Sequence, residues 1–238
     1  MKTVLITGGS RGIGRAMVRA FSNNGYSVAF TYKNSIDEAQ SLAKETGSIA
    51  ICADSACESD VKSAVKAAIE TLGGIDCLVN NAGISSFSLF TDLTLEQWNN
   101  TLAVNLTGAF LYSKEVIPDM LKRHRGRIIN VSSMWGLVGS SCEVHYSTAK
   151  AGLIGMTKAL AKELGPSGIT VNAIAPGVIN TDMNKALSDD EIAVLKDETP
   201  LMRIGEGDDV ASAALFLAGD GASFITGEVL NVSGGYVI

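Results

Sequence analysis

Short apolar stretches recur along the whole chain and alternate with longer stretches of helical character. Apolar runs of this length, bounded by turn residues, are typical of buried β-strands. We predict strands at residues 4–6, 28–30, 49–51, 77–79, 127–131, 169–174 and 229–231. We predict helices near residues 13–23, 35–45, 60–71 and 95–124, and a further one that carries Tyr146 and runs to about residue 164.

Strands that are apolar throughout and alternate with helices indicate a parallel sheet covered on both faces. No linker, low-complexity stretch or internal repeat divides the 238 residues, and a chain of this length can bury one large core. We therefore predict an α/β fold with a single domain, residues 1–238, built as a doubly wound parallel sheet with helices on both faces. Residues 180–203 interrupt the pattern after a strand end, and form either a substrate lid or an ordinary surface helix.

Composition excludes several classes of protein. The chain is 46% hydrophobic and 18% charged, which is typical of a globular protein rather than a disordered one. A net charge of -6 argues against general nucleic-acid binding, and no apolar run reaches the ~20 residues that span a bilayer. The four cysteines form no CxxC pair and no zinc-ligand spacing, so we expect no metal site and buried, reduced thiols. Without a signal-peptide pattern, we expect a cytoplasmic protein.

A glycine-rich turn follows the first predicted strand, with the sequence Thr7-Gly8-Gly9-Ser10-Arg11-Gly12-Ile13-Gly14. Glycines allow close approach of the backbone to a ligand, and the N-terminus of the next helix offers free N–H groups to a pyrophosphate. The alternative is a purely structural turn, because the spacing differs from the usual GxGxxG. Three glycines between the first strand and the first helix of an α/β chain favour a nucleotide site.

The residues after the second predicted strand indicate which nucleotide binds. NAD sites usually place an acidic residue there to hold the ribose hydroxyls, whereas residues 30–34 contain no carboxylate. Arg11 in the glycine turn and Lys33 after the strand are two cations that can face a 2′-phosphate. We therefore expect NADP(H) rather than NAD(H) as the cofactor.

Tyr146 and Lys150 lie four residues apart on a predicted helix, so their side chains share one face. A phenol with its ordinary pKa near ~10 is a poor acid-base catalyst at neutral pH. A nearby cation favours the phenolate and lowers that pKa, which makes proton transfer effective. Helices also carry such pairs by chance, so the pair alone does not identify a catalytic site.

Three further motifs follow later predicted strands in order, namely Asn80-Asn81-Ala82-Gly83, Ser132-Ser133 and Pro176-Gly177. All lie at carboxyl ends of predicted parallel strands, where active sites of such sheets assemble. Together with the glycine turn and the Tyr146–Lys150 pair, this ordered set resembles the short-chain dehydrogenase/reductase family over essentially the whole chain. The resemblance implies a Rossmann-type fold and a reductase that delivers hydride from a nicotinamide cofactor to a ketone.

The resemblance implies a role for four residues at the reacting ketone. Tyr146 matches the general acid that protonates the carbonyl oxygen, and Lys150 matches the residue that lowers the tyrosine pKa and binds the nicotinamide ribose. Ser133 matches the hydroxyl that orients and polarises the carbonyl, with a turn-capping role as the alternative. Asn105 matches the asparagine that holds a proton-relay water near the lysine.

The resemblance also implies a set of cofactor contacts. Asp54 matches the acid that contacts the adenine, and Thr181 matches a ligand of the nicotinamide carboxamide. Tyr146 and Lys150 belong to this set as well. The remaining implied cofactor residues are Gly8, Ser10, Arg11, Gly12, Ile13, Gly14, Lys33, Asn81, Ala82, Gly83, Pro176, Gly177 and Ile179.

Within the family, the general resemblance is to bacterial 3-oxoacyl-acyl-carrier-protein reductases of fatty acid biosynthesis, through residues 126–133, 150–155 and 224–227. Two positions depart from their pattern. Ser167 stands where a carrier-docking arginine is often found, and Glu143 stands where glutamine is often found. By the same resemblance, the substrate side of the site comprises Ser85, Trp135, Glu143 and Met183.

Glu143 leaves the substrate open, because it is either a solvated loop carboxylate or a charge partner for a cationic substrate. Residues 135–136 and 141–144 resemble a bacterial branch that reduces 5-aminopentanone attached to a lysine of elongation factor P, whose ammonium Glu143 would hold. A third interpretation is a non-catalytic NADP-sensing protein, a class that typically lacks the tyrosine or lysine retained here. By family analogy, we expect a homotetramer.

Overall fold

The computed structural model describes residues 2–182 and 188–237. Its strands form one sheet of seven, in the order β3-β2-β1-β4-β5-β6-β7, and every neighbouring pair is parallel. The strands are β1 (Thr3–Ile6), β2 (Ser27–Tyr32), β3 (Ile49–Cys52), β4 (Cys77–Asn80), β5 (Gly126–Val131), β6 (Ile169–Pro176) and β7 (Val229–Val232). The predicted parallel α/β sheet is confirmed, and all seven strands lie where the sequence places them.

Helices connect these strands on both faces of the sheet. The described residues contain α1 (Gly12–Asn23), α2 (Ile36–Thr46), α3 (Glu58–Leu72), α4 (Leu95–Leu102), α5 (Gly108–Arg123), α6 (Trp135–Val138), α7 (Val144–Leu164), α8 (Asp189–Glu198) and α9 (Gly207–Ala218). Two of these, α6 and α9, are missing from the sequence prediction. Helix α6 is a single turn, and α9 is apolar from Val210 to Ala218 apart from one serine, so neither shows a clear helical period.

Alternate residues of the inner strands enter two separate cores. In β1, Val4 and Ile6 join a cluster with α1, α2 and α9, whereas Leu5 joins a cluster with α3, α5 and the end of α7. Side chains alternate across a strand, so an apolar strand serves both faces at once. The sheet is therefore held between two helical layers, and its carboxyl edge is left open for a ligand.

A π-helical turn, Ala103–Thr107, separates α4 from α5 where the sequence predicts one continuous helix. Such turns are rare and are frequent at functional sites. The turn brings Asn105 to the interior, where it is buried. The wider turn, rather than a break in the chain, therefore directs this side chain toward the site.

The structure also bears on the predictions about the cysteines, membrane-spanning helices and the lid. Of the four cysteines, which were expected to be buried, only Cys77 is buried. Cys52 is exposed because it ends a strand at the edge of the sheet, and Cys57 and Cys142, just before helices, are half-buried. The expectation is therefore wrong for Cys52, Cys57 and Cys142. Among residues 2–182 and 188–237, no helix combines the length and apolar character of a membrane span. Helix α8 occupies part of the predicted lid, whose residues 183–187 lie outside the described residues. The lid and the single-domain division stay predictions.

Candidate active site

A cavity of about 600 Å³ opens at the carboxyl edge of the sheet. It has two ends that differ in character. We name the part around Ser133, Tyr146 and Lys150 the catalytic end, and the part around Lys33 and Asp54 the cationic end. Nineteen of the predicted site residues line the cavity: Gly8, Ser10, Arg11, Gly12, Ile13, Gly14, Lys33, Asp54, Asn81, Ala82, Gly83, Ser85, Ser133, Tyr146, Lys150, Pro176, Gly177, Ile179 and Thr181.

The glycine turn leaves no room for side chains where the chain must come close to itself or to a ligand. A Cβ on Gly14 would lie 2.2 Å from the Gly8 carbonyl oxygen, and one on Gly8, whose φ is +65°, would lie 2.9 Å from the Ala82 Cα. Helix α1 begins at Gly12, so its free N–H groups face the same space. The turn therefore fits a dinucleotide pyrophosphate.

Thr7 and Asn81 hold this turn against the segment after β4. The Thr7 hydroxyl oxygen accepts hydrogen bonds from the N–H groups of Asn81 and Ala82, both at 2.9 Å. The Asn81 amide donates to the carbonyl oxygens of Thr7 and Gly8 at 3.0 and 3.1 Å. Thr7 belongs to the glycine-rich motif but is not among the predicted site residues. Its signal is position, since it is the first residue after β1.

The cationic end is built on the residues that follow β2 and β3. The Lys33 ammonium lies 2.6 Å from the Asp54 carboxylate, and the Ala56 N–H donates to the same carboxylate at 3.0 Å. Burial raises the pKa of Asp54, but the hydrogen bonds from Lys33 and Ala56 and the Lys33 charge together lower it below its ordinary value. Lys33 and Asp54 were predicted as separate cofactor contacts, and the structure joins them as an ion pair.

At the catalytic end, Tyr146 and Lys150 are both buried on one face of α7, at 8% and 3% exposure. Burial raises the pKa of Tyr146 to about 12, opposed by the Ser133 hydroxyl and reinforced by the Glu143 charge. Burial lowers the pKa of Lys150 to about 8. The Lys150 ammonium donates to the Val131 carbonyl oxygen at 2.9 Å and lies 5.6 Å from the centre of the Tyr146 ring.

The tyrosine pKa therefore moves in the direction opposite to the prediction. Lys150 was expected to lower it, whereas loss of hydration at the buried phenol is the largest cause of the shift and raises the pKa. At neutral pH Tyr146 keeps its proton, which is the form a general acid needs. Lys150, with its pKa near 8, is charged at neutral pH and exchanges protons readily just above it.

Ser133 follows β5 and is buried beside Tyr146. Its hydroxyl oxygen accepts a hydrogen bond from the Trp135 N–H at 3.1 Å. Trp135 itself does not line the cavity, although it was predicted on the substrate side. Met183, predicted beside it, lies outside the described residues.

Asn105 lies behind Gly83 rather than on the cavity wall. Its amide donates to the carbonyl oxygens of Ile84 and Thr101 at 2.8 and 3.0 Å, and its oxygen accepts from the Ile84 N–H at 3.1 Å. A Cβ on Gly83 would lie 2.5 Å from that oxygen and 3.4 Å from the Lys150 ammonium. Asn105 therefore holds the segment after β4 next to Lys150, and its proton-relay role stays a prediction.

Glu143, just before α7, is 5% exposed, which excludes the solvated loop carboxylate. Its Oε1 accepts a hydrogen bond from the Ser85 hydroxyl. His145, which is fully buried, makes a second contact of this kind. Its Nε2 forms a hydrogen bond with the Ser86 hydroxyl at 2.9 Å. Both side chains fasten the segment after β4 to the start of α7, and Ser85 lines the cavity while Glu143 lies behind it.

Comparison with known proteins places this geometry in a family. A family model described as Enoyl-(Acyl carrier protein) reductase matches residues 8–237. The 3-oxoacyl-[acyl-carrier-protein] reductase FabG of Staphylococcus epidermidis is 42% identical, with 98% of each chain covered. That of Aquifex aeolicus is also 42% identical, covering 98% of this chain and 96% of the relative. A mutant of a Serratia marcescens short-chain dehydrogenase/reductase superposes with a TM-score of 0.93 at 36% identity, over 99% of this chain and 97% of the other.

The chain belongs to the short-chain dehydrogenase/reductase family. The resemblance inferred from its motifs is thereby confirmed. As a short-chain dehydrogenase/reductase it is an oxidoreductase, and members of this family use NAD(P). The chain matches 98% and 96% of the length of these two relatives.

Proposed function

We propose that this chain reduces a ketone with NADPH, and that the ketone is a 3-oxoacyl thioester carried on acyl carrier protein. The observation that carries the proposal is the meeting of the protonated Tyr146 phenol, the Ser133 hydroxyl and the Lys150 ammonium in one cavity with the glycine turn. The two relatives at 42% identity, both 3-oxoacyl-[acyl-carrier-protein] reductases, support the choice of substrate.

The buried groups suit the chemistry of carbonyl reduction. A bound reduced nicotinamide supplies the hydride. Negative charge then develops on the carbonyl oxygen, and hydroxyl donors aimed at it stabilise the transition state. Tyr146 donates its proton to this oxygen, Ser133 orients it, and the Lys150 charge favours the phenolate that remains. A lysine pKa near 8 allows Lys150 to pass a proton back to Tyr146.

The preference for NADPH rests on the cationic end. Lys33 lines the cavity there and Arg11 lines the same cavity from the glycine turn, while residues 30–34 contain no carboxylate that would repel a 2′-phosphate. Asp54 pairs with the Lys33 ammonium and neutralises part of its charge, which limits the strength of the preference. We therefore expect a lower Kd for NADPH than for NADH, and equal values would contradict this part of the proposal.

A side-by-side assay tests the substrate. NADPH oxidation is followed on an acetoacetyl thioester of acyl carrier protein and on elongation factor P that carries 5-aminopentanone on its lysine. The proposal expects faster turnover of the thioester. Turnover of modified elongation factor P alone would replace it, and turnover of neither, with NADPH still bound, would favour a non-catalytic NADP-sensing protein.

Elongation factor P is the second candidate because Glu143, although it lies behind Ser85, is a buried carboxylate whose charge acts on Tyr146 at the catalytic end of the cavity. A carboxylate in this position favours a substrate that carries an ammonium, and disfavours an anionic one. We expect Glu143→Gln to reduce kcat/KM on 5-aminopentan-2-one while sparing 2-hexanone, which has a methyl group in place of the ammonium. Equal changes on both ketones would remove the charge-pairing role.

We propose a homotetramer in solution. Large apolar side chains exposed on this single chain support assembly, namely Phe110, Phe216 and Phe224. Leu153 and Ile154 of α7, by contrast, are buried within one chain and are not free for a partner. Sedimentation velocity at micromolar concentration measures the state, and a single monomer peak would contradict assembly.

A further inference from the structure

The C-terminal segment, residues 233–237, packs against elements that border the cavity. The Leu201 N–H, just after α8, donates to the Gly234 carbonyl oxygen at 3.1 Å, and the Gly177 N–H donates to the Val232 carbonyl oxygen at 3.0 Å. Gly235 has a φ of +88°, and a Cβ there would lie 2.9 Å from the Pro200 ring. The backbone conformation and this close approach together set where the next residue, Tyr236, is placed.

Tyr236 connects two elements that are separate in the chain. Its ring meets the Trp135 ring of α6 edge to face, with 6.0 Å between centroids and 86° between planes. Its hydroxyl donates to the Glu198 carboxylate, at the end of α8, at 2.7 Å. Edge-to-face contact is a favoured arrangement of aromatic pairs. The tyrosine therefore fixes Trp135 through its ring and anchors itself through its hydroxyl.

The position of Trp135 in turn affects Ser133. A serine hydroxyl has one donor and two acceptor sites. The Trp135 N–H occupies one acceptor site of the Ser133 oxygen, and the Gly136 N–H donates to the Ser133 carbonyl oxygen at 2.9 Å. The contact from the Trp135 N–H restricts the rotation of the Ser133 side chain, and so restricts the direction in which its proton points, while the contact from Gly136 holds the Ser133 backbone.

We propose that Tyr236 is a positioning residue for Ser133, acting through Trp135. The inference rests on the role of Ser133 in the proposed function. Tyr236 is not one of the described residues that line the cavity. Its loss would therefore reduce kcat through misdirection of the Ser133 proton, and would leave the glycine turn and the affinity for NADPH unchanged.

The test compares Tyr236→Leu with Tyr236→Phe in a Trp98→Phe background. The chain has two tryptophans, so Trp135 is then the sole tryptophan and its fluorescence reports on the ring contact. We expect Tyr236→Leu to shift the Trp135 emission and to lower kcat about fivefold, a size typical of coupling through packed side chains. Tyr236→Phe keeps the ring, so its emission and kcat should stay within about twofold of the parent. The Kd for NADPH should not change in either variant.

Several outcomes would overturn the inference. One is a shift in Trp135 emission with unchanged kcat. Another is an equal loss of kcat in Tyr236→Phe and Tyr236→Leu, because the ring that Tyr236→Phe keeps would then not be the cause. A parallel loss of NADPH affinity would indicate a general structural effect. If Tyr236→Leu does not fold, Trp135→Leu removes the other ring of the pair and is judged by the same kinetic criteria. Failure of the proposed function can be distinguished from these outcomes, because the parent protein itself would then reduce no ketone.

Discussion

The catalytic end and the cationic end of the cavity hold their charges in opposite ways. Tyr146 and Lys150 are 8% and 3% exposed, whereas the side chains of Lys33 and Asp54 are 57% and 27% exposed. Burial shifts both pKa values at the catalytic end by removing water, while water and salt screen the ion pair at the cationic end. Changes at the first end should therefore alter turnover strongly, and changes at the second should alter affinity weakly.

The largest effect is expected from Tyr146→Phe, which removes the proton donor without changing the shape of the ring. We expect kcat to fall by about 10²- to 10⁴-fold, the usual contribution of a positioned acid. The Kd for NADPH, measured by fluorescence titration, should stay nearly unchanged. Tyr32→Phe makes the same chemical change at the cationic end, where Tyr32 lines the cavity. An equal loss of kcat in Tyr146→Phe and Tyr32→Phe would contradict the distinction between the two ends.

The pH profile should show the next largest effect. Lys150 has a pKa of about 8, so it loses its charge above this pH, while Tyr146 keeps its proton until about 12. We expect kcat/KM for ketone reduction to fall by about tenfold per pH unit above pH 8. In Lys150→Arg the cation persists, so any remaining activity should lack this alkaline decline. A wild-type profile that stays flat to pH 10 would contradict the assignment.

Lys33→Ala should produce a smaller effect that depends on salt. An exposed charge contact contributes about 1 kcal/mol or less, so the Kd for NADPH should rise by about fivefold and the Kd for NADH should not change. The difference should shrink at high ionic strength. Lys62→Ala is a matched control, since Lys62 is similarly exposed and paired with Glu58 on α3. An equal effect of Lys33→Ala on both cofactors would show that Lys33 does not read the 2′-phosphate.

Asp54→Asn should give the smallest change in cofactor binding. It is measured as the ratio of the Kd for NADH to the Kd for NADPH. Loss of the Asp54 charge leaves the Lys33 ammonium free for a phosphate, so the preference for NADPH over NADH should rise by about twofold. Any contact of Asp54 with the adenine cancels in the ratio, because both cofactors share that group. A lower ratio would indicate that Asp54 orients Lys33 rather than competing for it.

The same contrast explains how much the sequence could predict. The sheet was predictable because strands buried on both faces are apolar at every position, as in Val4, Leu5 and Ile6. The cavity lining was predictable because motifs at the ends of neighbouring parallel strands must meet. Both conclusions depend on local pattern and on topology, which are visible along the chain.

Properties that depend on how deeply a side chain is buried were not predictable from the sequence. The pKa of Tyr146 rises because of how completely α7 is covered, and spacing along a helix does not contain that information. Glu143 is buried, and Ser85, far away in the sequence, supplies the hydrogen bond that offsets its lost hydration. The Lys33–Asp54 pair likewise depends on how β2 and β3 are aligned. In each case the decisive neighbour comes from another part of the chain.

The π-helical turn at Ala103–Thr107 has a consequence for how such a site arises and how it can be lost. A π turn has the geometry of an α-helix with one residue inserted. Deletion of one residue from this turn would restore a regular helix from α4 through α5 and would shift the side chains within the turn. The two flanks would keep nearly the same orientation, because the wider turn absorbs the extra residue. The helix would gain regular hydrogen bonds, but Asn105 would leave Ile84 and the segment beside Lys150. A single codon therefore separates a more regular helix from a working arrangement of side chains.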